Sequence, residues 1–256
     1  MGPPLLHLAE DGRATLTLQR PQHHHRLHRE DLHALQQHLR ALAQEPRARV
    51  LVLTASGPVF CSGFHLGELE EAEAGAADPQ LFEHAVDALE ALPLPTVARL
   101  NGSVYGGATD LALACDFRIG VQGMELRMPA ARLGLHYYPS GLQRYVSRLG
   151  LQAAKRLFLL AQAVRSDELL RIGYLDQQVP AEALDAATDA TVQALLAGAP
   201  LALQGMKLSL DDTARGPDAA AAARIAERVA RCAVSADLQE GLAAWAARRA
   251  PRFQGR

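Results

Sequence analysis

Two short segments hold residue types and spacings that suit them to bind developing negative charge. The first is Phe60-Cys61-Ser62-Gly63-Phe64-His65-Leu66, where a strand and turn lead into a helix expected to begin near His65. The second is Asn101-Gly102-Ser103-Val104-Tyr105-Gly106-Gly107, running into a helical stretch from Ala108 to Cys115. The first N–H groups of a helix have no intrahelical acceptor, and the helix dipole favours negative charge beside them. Two such donors converging on one point would make an oxyanion hole. Asp110 stands three residues after Gly107, about one helical turn on and on nearly the same face. Each feature also has a plain reading, in which the glycines are turn residues and Asp110 is a first-turn acid complementing the dipole.

The elements that must position these segments follow from periodicity. Leu5 to Leu8 and Ala14 to Leu18 read as short strands around the turn Glu10-Asp11-Gly12. Leu32, Leu35, Leu39 and Leu42 recur at three- and four-residue steps, which predicts a helix from Arg29 to Ala43. Val50-Leu51-Val52-Leu53 is an unbroken apolar run bounded by Ala55-Ser56-Gly57-Pro58, the pattern of a buried parallel strand. A helix from about Pro79 to Ala91, a strand from Thr96 to Leu100 and a strand from Asp116 to Gly120 continue the alternation, which makes the fold class α/β. Beyond Ser140 the pattern is helical over Gly141 to Leu149, Leu151 to Ala161, Ala181 to Leu196, Leu201 to Asp211 and Ala219 to Arg249, broken near Ser235, with a strand at Leu175 to Val179.

Composition narrows the class of function. Among 256 residues, 26 basic side chains face 28 acidic ones for a net charge of −2, which leaves no electrostatic footprint for nucleic acid. At 49% hydrophobic and 21% charged the chain can bury a sizeable core. The start has no basic n-region, and no stretch reaches the roughly 18 apolar residues of a membrane span, so a soluble, cytoplasmic protein with no membrane partner is expected. Cys61, Cys115 and Cys232 are odd in number and lack a C-x-x-C spacing, which fits neither a disulfide framework nor a zinc knuckle. His23-His24-His25 and His28 lack the helical spacing of a strong zinc motif and have no close Cys or acidic partner, so no metal is expected.

Taken together, the segments resemble the crotonase superfamily, the enoyl-CoA hydratase/isomerase family. The likeness lies in Leu16-Thr17-Leu18-Gln19-Arg20-Pro21, Val50 to Thr54 followed by Phe60-Cys61-Ser62-Gly63, Leu92-Pro93-Leu94-Pro95-Thr96-Val97 and Asn101 to Gly107. It continues through Asp110 to Ile119, Leu133-Gly134-Leu135, Ser235-Ala236-Asp237 to Glu240-Gly241, and Arg249-Ala250-Pro251-Arg252-Phe253. The resemblance implies a crotonase-like ββα spiral core over residues 1–200 and a C-terminal helical trimerisation region over 201–256. It also implies a homotrimer or dimer of trimers and an acyl-CoA thioester as substrate, as in fatty-acid metabolism. Coenzyme A is then part of the substrate, and no separate cofactor is expected.

Residue by residue, the resemblance places the two oxyanion donors on the backbone N–H groups of Phe64 and Gly107, around an enolate. Family hydratases act on water with two glutamates; here the first position holds Asp110 and the second, after Pro129, holds Ala130. Addition of water needs a base and an acid, and alanine is neither. Asp110 is therefore expected to carry proton transfer alone, as double-bond isomerisation requires, with His65 and Tyr137 as further candidates. Decarboxylating members use a histidine in the first loop and a tyrosine after the Leu-Gly segment; Tyr137 matches the latter and His65 lies one residue past the former. Ser62, Gly63, Leu66, Gly106, Ala130, Leu135 and Tyr138 are expected around the acyl-CoA. His24, His25 and Arg26 are expected near its adenine-ribose end, Gly67 standing where a CoA-contacting lysine is usual. An acyl-CoA decarboxylase or other enolate-dependent lyase, and a non-catalytic CoA-thioester binding protein, are the alternatives.

Overall fold

The structure is a computed structural model that describes residues 2–68, 78, 80–216 and 218–256. Its centre is a six-stranded sheet in the order β1-β2-β3-β4-β6-β9, formed by Leu5–Leu8, Arg13–Leu18, Val50–Ala55, Thr96–Leu100, Phe117–Val121 and Gln177–Val179. Only the β1 and β2 pair is antiparallel; the other neighbours run parallel. The apolar run in β3 is buried along its whole length, as a strand covered on both faces must be. In β2, by contrast, Ala14, Leu16 and Leu18 are buried and alternate with partly exposed residues.

A smaller sheet in the order β5-β7-β8 joins Val104–Tyr105, Glu125–Arg127 and Val164–Arg165. Strands of two or three residues are too short to leave a period, so the sequence pattern does not announce them. The first helix, α1 (Arg29–Gln44), buries the four leucines of its stripe and packs on α2 (Leu81–Glu90). The expected start of the second helix at Pro79 lies outside the described residues. Next come α3 (Gly107–Leu113), α4 (Pro139–Leu149) and α5 (Leu151–Lys155), the last passing into a π-helical turn at Arg156–Leu160. The chain continues through α6 (Ser166–Arg171) and α7 (Leu184–Leu196). Asp110 and Leu111 of α3 are fully buried, so this short helix runs through the interior.

The C-terminal segment consists of α8 (Pro200–Ala214), α9 (Ala219–Ala233) and α10 (Ala236–Ala246). Among the described residues no single helix is long and apolar enough to cross a membrane. Lys207 ties α8 to the sheet, its Nζ lying 2.9 Å from Asp116 Oδ2 and 2.9 Å from Leu94 O. Asp212 ties α8 to α9, taking Arg224 Nη2 at 2.7 Å and Arg228 Nη1 at 2.7 Å. These guanidiniums hold the Asp212 carboxyl down at about 2, below its usual range. A depressed carboxyl contributes stability that is present above its unfolded pKa and is lost as pH falls through the folded value. The α8–α9 hairpin is therefore expected to loosen between pH 4 and pH 2. Asp212→Asn should lower Tm at neutral pH by about 2–4 °C and flatten the acid limb of a Tm against pH profile; an unchanged limb would remove Asp212 from the account.

Candidate active site

The two glycine-bearing segments meet. Phe64 forms a parallel bridge with Leu27, in which the Leu27 N–H donates to Gly63 O at 2.8 Å and the His65 N–H donates to Leu27 O at 2.9 Å. The bridge uses the groups flanking Phe64, so the Phe64 N–H itself faces away from Leu27. Cys61 bridges Val104 similarly, its carbonyl accepting from the Tyr105 N–H at 3.0 Å. Gly63 has φ 93°, and a Cβ there would stand 2.7 Å from Tyr105 O and 3.2 Å from Gly107 N. Only glycine permits both that conformation and that approach. Gly106, at φ 55°, turns the chain into α3 so that Gly107 supplies its first N–H. Among the described residues neither the Phe64 nor the Gly107 N–H has an acceptor.

Both donors border a cavity of about 360 Å³. It gathers Ser62, Gly63, Phe64, Leu66, Gly106, Gly107, Ala130, Leu135, Tyr137 and Tyr138, together with Phe82, Glu83, Tyr105, Met128, Pro129, Leu133 and His136. Aromatic rings form much of the wall: Tyr137 stacks on Tyr138 at 4.4 Å, and Phe82 lies 6.0 Å from Phe64 and 6.2 Å from Tyr138. The Phe82 ring covers Gly107, since a Cβ on that glycine would meet Phe82 Cζ at 2.5 Å. Cys61, behind the first loop, donates its thiol to His25 O at 2.9 Å, and burial pushes that thiol up to about 12. It is a packing group, not a nucleophile.

Asp110 does not line the cavity, and the expectation that it transfers protons is corrected. Its side chain has no exposure. Arg144 Nη1 donates to both of its oxygens at 2.8 Å, Tyr137 donates to Oδ2 at 3.2 Å, and the Tyr138 hydroxyl donates to the same oxygen. Complete burial pushes the carboxyl up, against the opposing pull of the Arg144 guanidinium and the two hydroxyls. Burial beside Asp110 pushes Tyr137 and Tyr138 up as well, so both remain neutral hydroxyls at neutral pH. Arg144 is itself fully buried and also binds Glu90 through Nε at 2.9 Å and Asp87 through Nη2 at 2.7 Å. The sequence reading missed this network. Its visible trace is a stripe of carboxylates, Glu83, Asp87 and Glu90, at steps of four and three along α2.

The histidines also fall elsewhere than expected. His25 is buried; its Nδ1 accepts from the Arg20 N–H at 3.1 Å, so its Nε2 is the donor to Ser56 O. Both nitrogens are occupied and burial lowers its pKa, which leaves it no part in stacking on an adenine or meeting a phosphate. His24 is exposed, and its carbonyl accepts from the Ser62 N–H at 2.9 Å. Arg26 Nε is buried without a partner among the described residues. His65 is not part of the cavity wall: its ring stacks on His28 at 4.9 Å, with Nδ1 3.9 Å from Glu68. These three groups bring ligand-type atoms within 4.8 Å of one another, but Glu68 already accepts from His28 Nδ1 at 2.6 Å and from the Arg29 N–H at 2.8 Å.

The enoyl-CoA hydratase/isomerase family description matches residues 9–256. The chain belongs to the enoyl-CoA hydratase/isomerase family. It is 31% identical to the enoyl-CoA isomerase/hydratase fer4 of Mycosarcoma maydis, over 98% of each chain. It is 27% identical to the crotonyl-CoA hydratase of Syntrophomonas wolfei, over 95% of each. The crystal structure of an enoyl-CoA hydratase from Bacillus anthracis superposes with a TM-score of 0.91 at 25% identity, covering 99% of both chains. The fold is thus the crotonase fold, and the chain is an enzyme of the lyase or isomerase type.

Asp110→Asn removes one of the three carboxylates around a guanidinium that cannot reach water. It is expected to destabilise the protein by about 3 kcal/mol, the low end for breaking a buried pair because Glu90 and Asp87 remain. A urea midpoint that does not move would contradict this structural role.

Proposed function

We propose that the cavity binds the acyl thioester of an acyl-CoA, with the thioester oxygen between the Phe64 and Gly107 N–H groups, and that the enzyme works through the enolate these donors stabilise. Carrying this reading is the pair of main-chain donors, without acceptors among the described residues, held together at a largely apolar cavity. Donors fixed in place before the reaction favour charge that appears only in the transition state, which raises turnover more than binding. Because both are main-chain groups, the bulk of Phe64 leaves the donor intact and narrows the acyl space instead.

Within this chemistry, double-bond isomerisation of an enoyl-CoA fits better than hydration. Ala130 stands in the cavity wall after Pro129, where the two-glutamate arrangement would require a carboxylate, and isomerisation needs one proton-transfer group instead of two. The decarboxylase alternative loses support, because His65 stacks on His28 away from the cavity and the Tyr137 hydroxyl is turned to Asp110. At the nucleotide end, Arg26, whose Nε has no partner among the described residues, is suited to a phosphate.

The oligomer belongs to the same proposal. Val234, Trp245, Val229 and Leu242 in and around α9 and α10 are all more than half exposed, an apolar surface suited to a homotrimer or a dimer of trimers. Sedimentation equilibrium should give a mass of three or six chains; a monomer at micromolar concentration would refute this part.

Enolate formation has a direct readout. A saturated acyl-CoA incubated with the enzyme in D2O should gain deuterium at the α-carbon, and a 3-enoyl-CoA should convert to the 2-enoyl isomer, both followed by NMR. An acyl-CoA that binds but neither exchanges nor isomerises would favour a non-catalytic binding protein.

A further inference from the structure

We propose that Glu83 is the proton-transfer base of this cavity, an inference that rests on reading the cavity as an enoyl-CoA site. Among the described residues that line it, Glu83 supplies the only carboxylate. Asp110 is sealed behind Tyr137 and Tyr138 and neutralised by Arg144. Of the acidic stripe on α2, Arg144 holds Asp87 and Glu90, whereas Glu83 has no cation within ion-pair distance among the described residues. Among the described residues its carboxylate has one hydrogen bond, from Ser140 Oγ, which donates to Oε1 at 3.3 Å and leaves the other oxygen without a described partner.

Position supports the role. Glu83 follows Phe82, whose ring covers Gly107 and tilts against the Phe64 ring, so this turn of α2 borders the cavity beside both donor-bearing residues. A first-turn acid that merely complements the helix dipole has no reason to border a cavity. Here Glu83 is half-buried and lines the same cavity as Phe64 and Gly107, among apolar and aromatic residues.

The chemistry balances with this one group. With a 3-enoyl-CoA bound, a Glu83 oxygen takes a proton from C2, and the C–H pair moves toward the thioester oxygen, where the Phe64 and Gly107 N–H groups hold the charge. The carboxylic acid so formed returns the proton to C4. The oxygen pair re-forms the carbonyl, the double bond settles between C2 and C3, and Glu83 is again a carboxylate. No water, oxidant or second acid takes part, which suits a site with Ala130 in its wall.

The test uses the full-length enzyme with 3-enoyl-CoA, and a saturated acyl-CoA as a binding probe. Glu83→Gln is expected to lower kcat by about 100-fold or more, with KM and the saturated acyl-CoA Kd changing by no more than about twofold and Tm unchanged. Glu83→Asp should keep part of the activity, and added formate should partly restore Glu83→Ala. Wild-type turnover in Glu83→Gln would overturn the assignment and leave the enoyl-CoA reading standing. A loss of turnover matched by an equal loss of binding or of Tm would also overturn it, making Glu83 a packing residue. A wild-type enzyme that neither isomerises nor exchanges the α-proton would overturn both.

Discussion

The cavity end of this fold depends on one buried guanidinium. Arg144 has no contact with water, and it faces Asp110 on α3 and both Asp87 and Glu90 on α2 from its own place on α4. An unpaired charge in that position would cost several kcal/mol, so burying Arg144 favours the arrangement in which α2 and α3 dock their carboxylates against α4. The docking has a steric condition too. A Cβ on Gly141 would come within 2.4 Å of the Tyr137 ring and 2.9 Å of Asp110, so only glycine lets α4 approach this closely. Once docked, α4 presents Tyr137 and Tyr138 as the cavity wall, their hydroxyls turned inward to Asp110.

On the other side of the cavity the constraint belongs to the main chain. Gly63, Gly106 and the bridges from Leu27 and Cys61 fix where two N–H groups point, with no side chain involved in the donation. Side chains around them can therefore change without loss of the donors. A backbone frame of this kind leaves the surrounding side chains free to differ, and Phe64 and Ala130 line the cavity beside it.

What could be read from residues alone follows the range of the interactions. The run at β3, the leucine stripe of α1 and the glycine-led start of α3 are local patterns, and each appears in the structure within a residue or two of its expected bounds. The two loops that meet at Gly63 were legible through family resemblance as well as through their glycines. Arg144 was not, because an arginine in an amphipathic helix looks like any surface arginine until the helices that bury it are placed. Asp110 and Glu83 illustrate the same limit from opposite sides. Both are first-turn acids in sequence, and only the packing of α4 decides that one is walled in and the other opens on the cavity.

The charge balance around Arg144 reaches further along the chain than the cavity does. Glu90 also takes Arg148 at 3.1 Å and Arg215 at 3.4 Å, and Arg215 lies just past the end of α8. Three cations thus face the carboxylates of Asp87, Glu90 and Asp110, with Asp211 a further 3.8 Å from Arg148. One of the three comes from the C-terminal helices. Arg215 is half exposed, so it caps Glu90 from the solvent side of the cluster, and the same segment brings Asp211 to Arg148. The helical tail thus closes the outer end of the buried ion cluster, with a charge of each sign, as well as offering a candidate surface for neighbours.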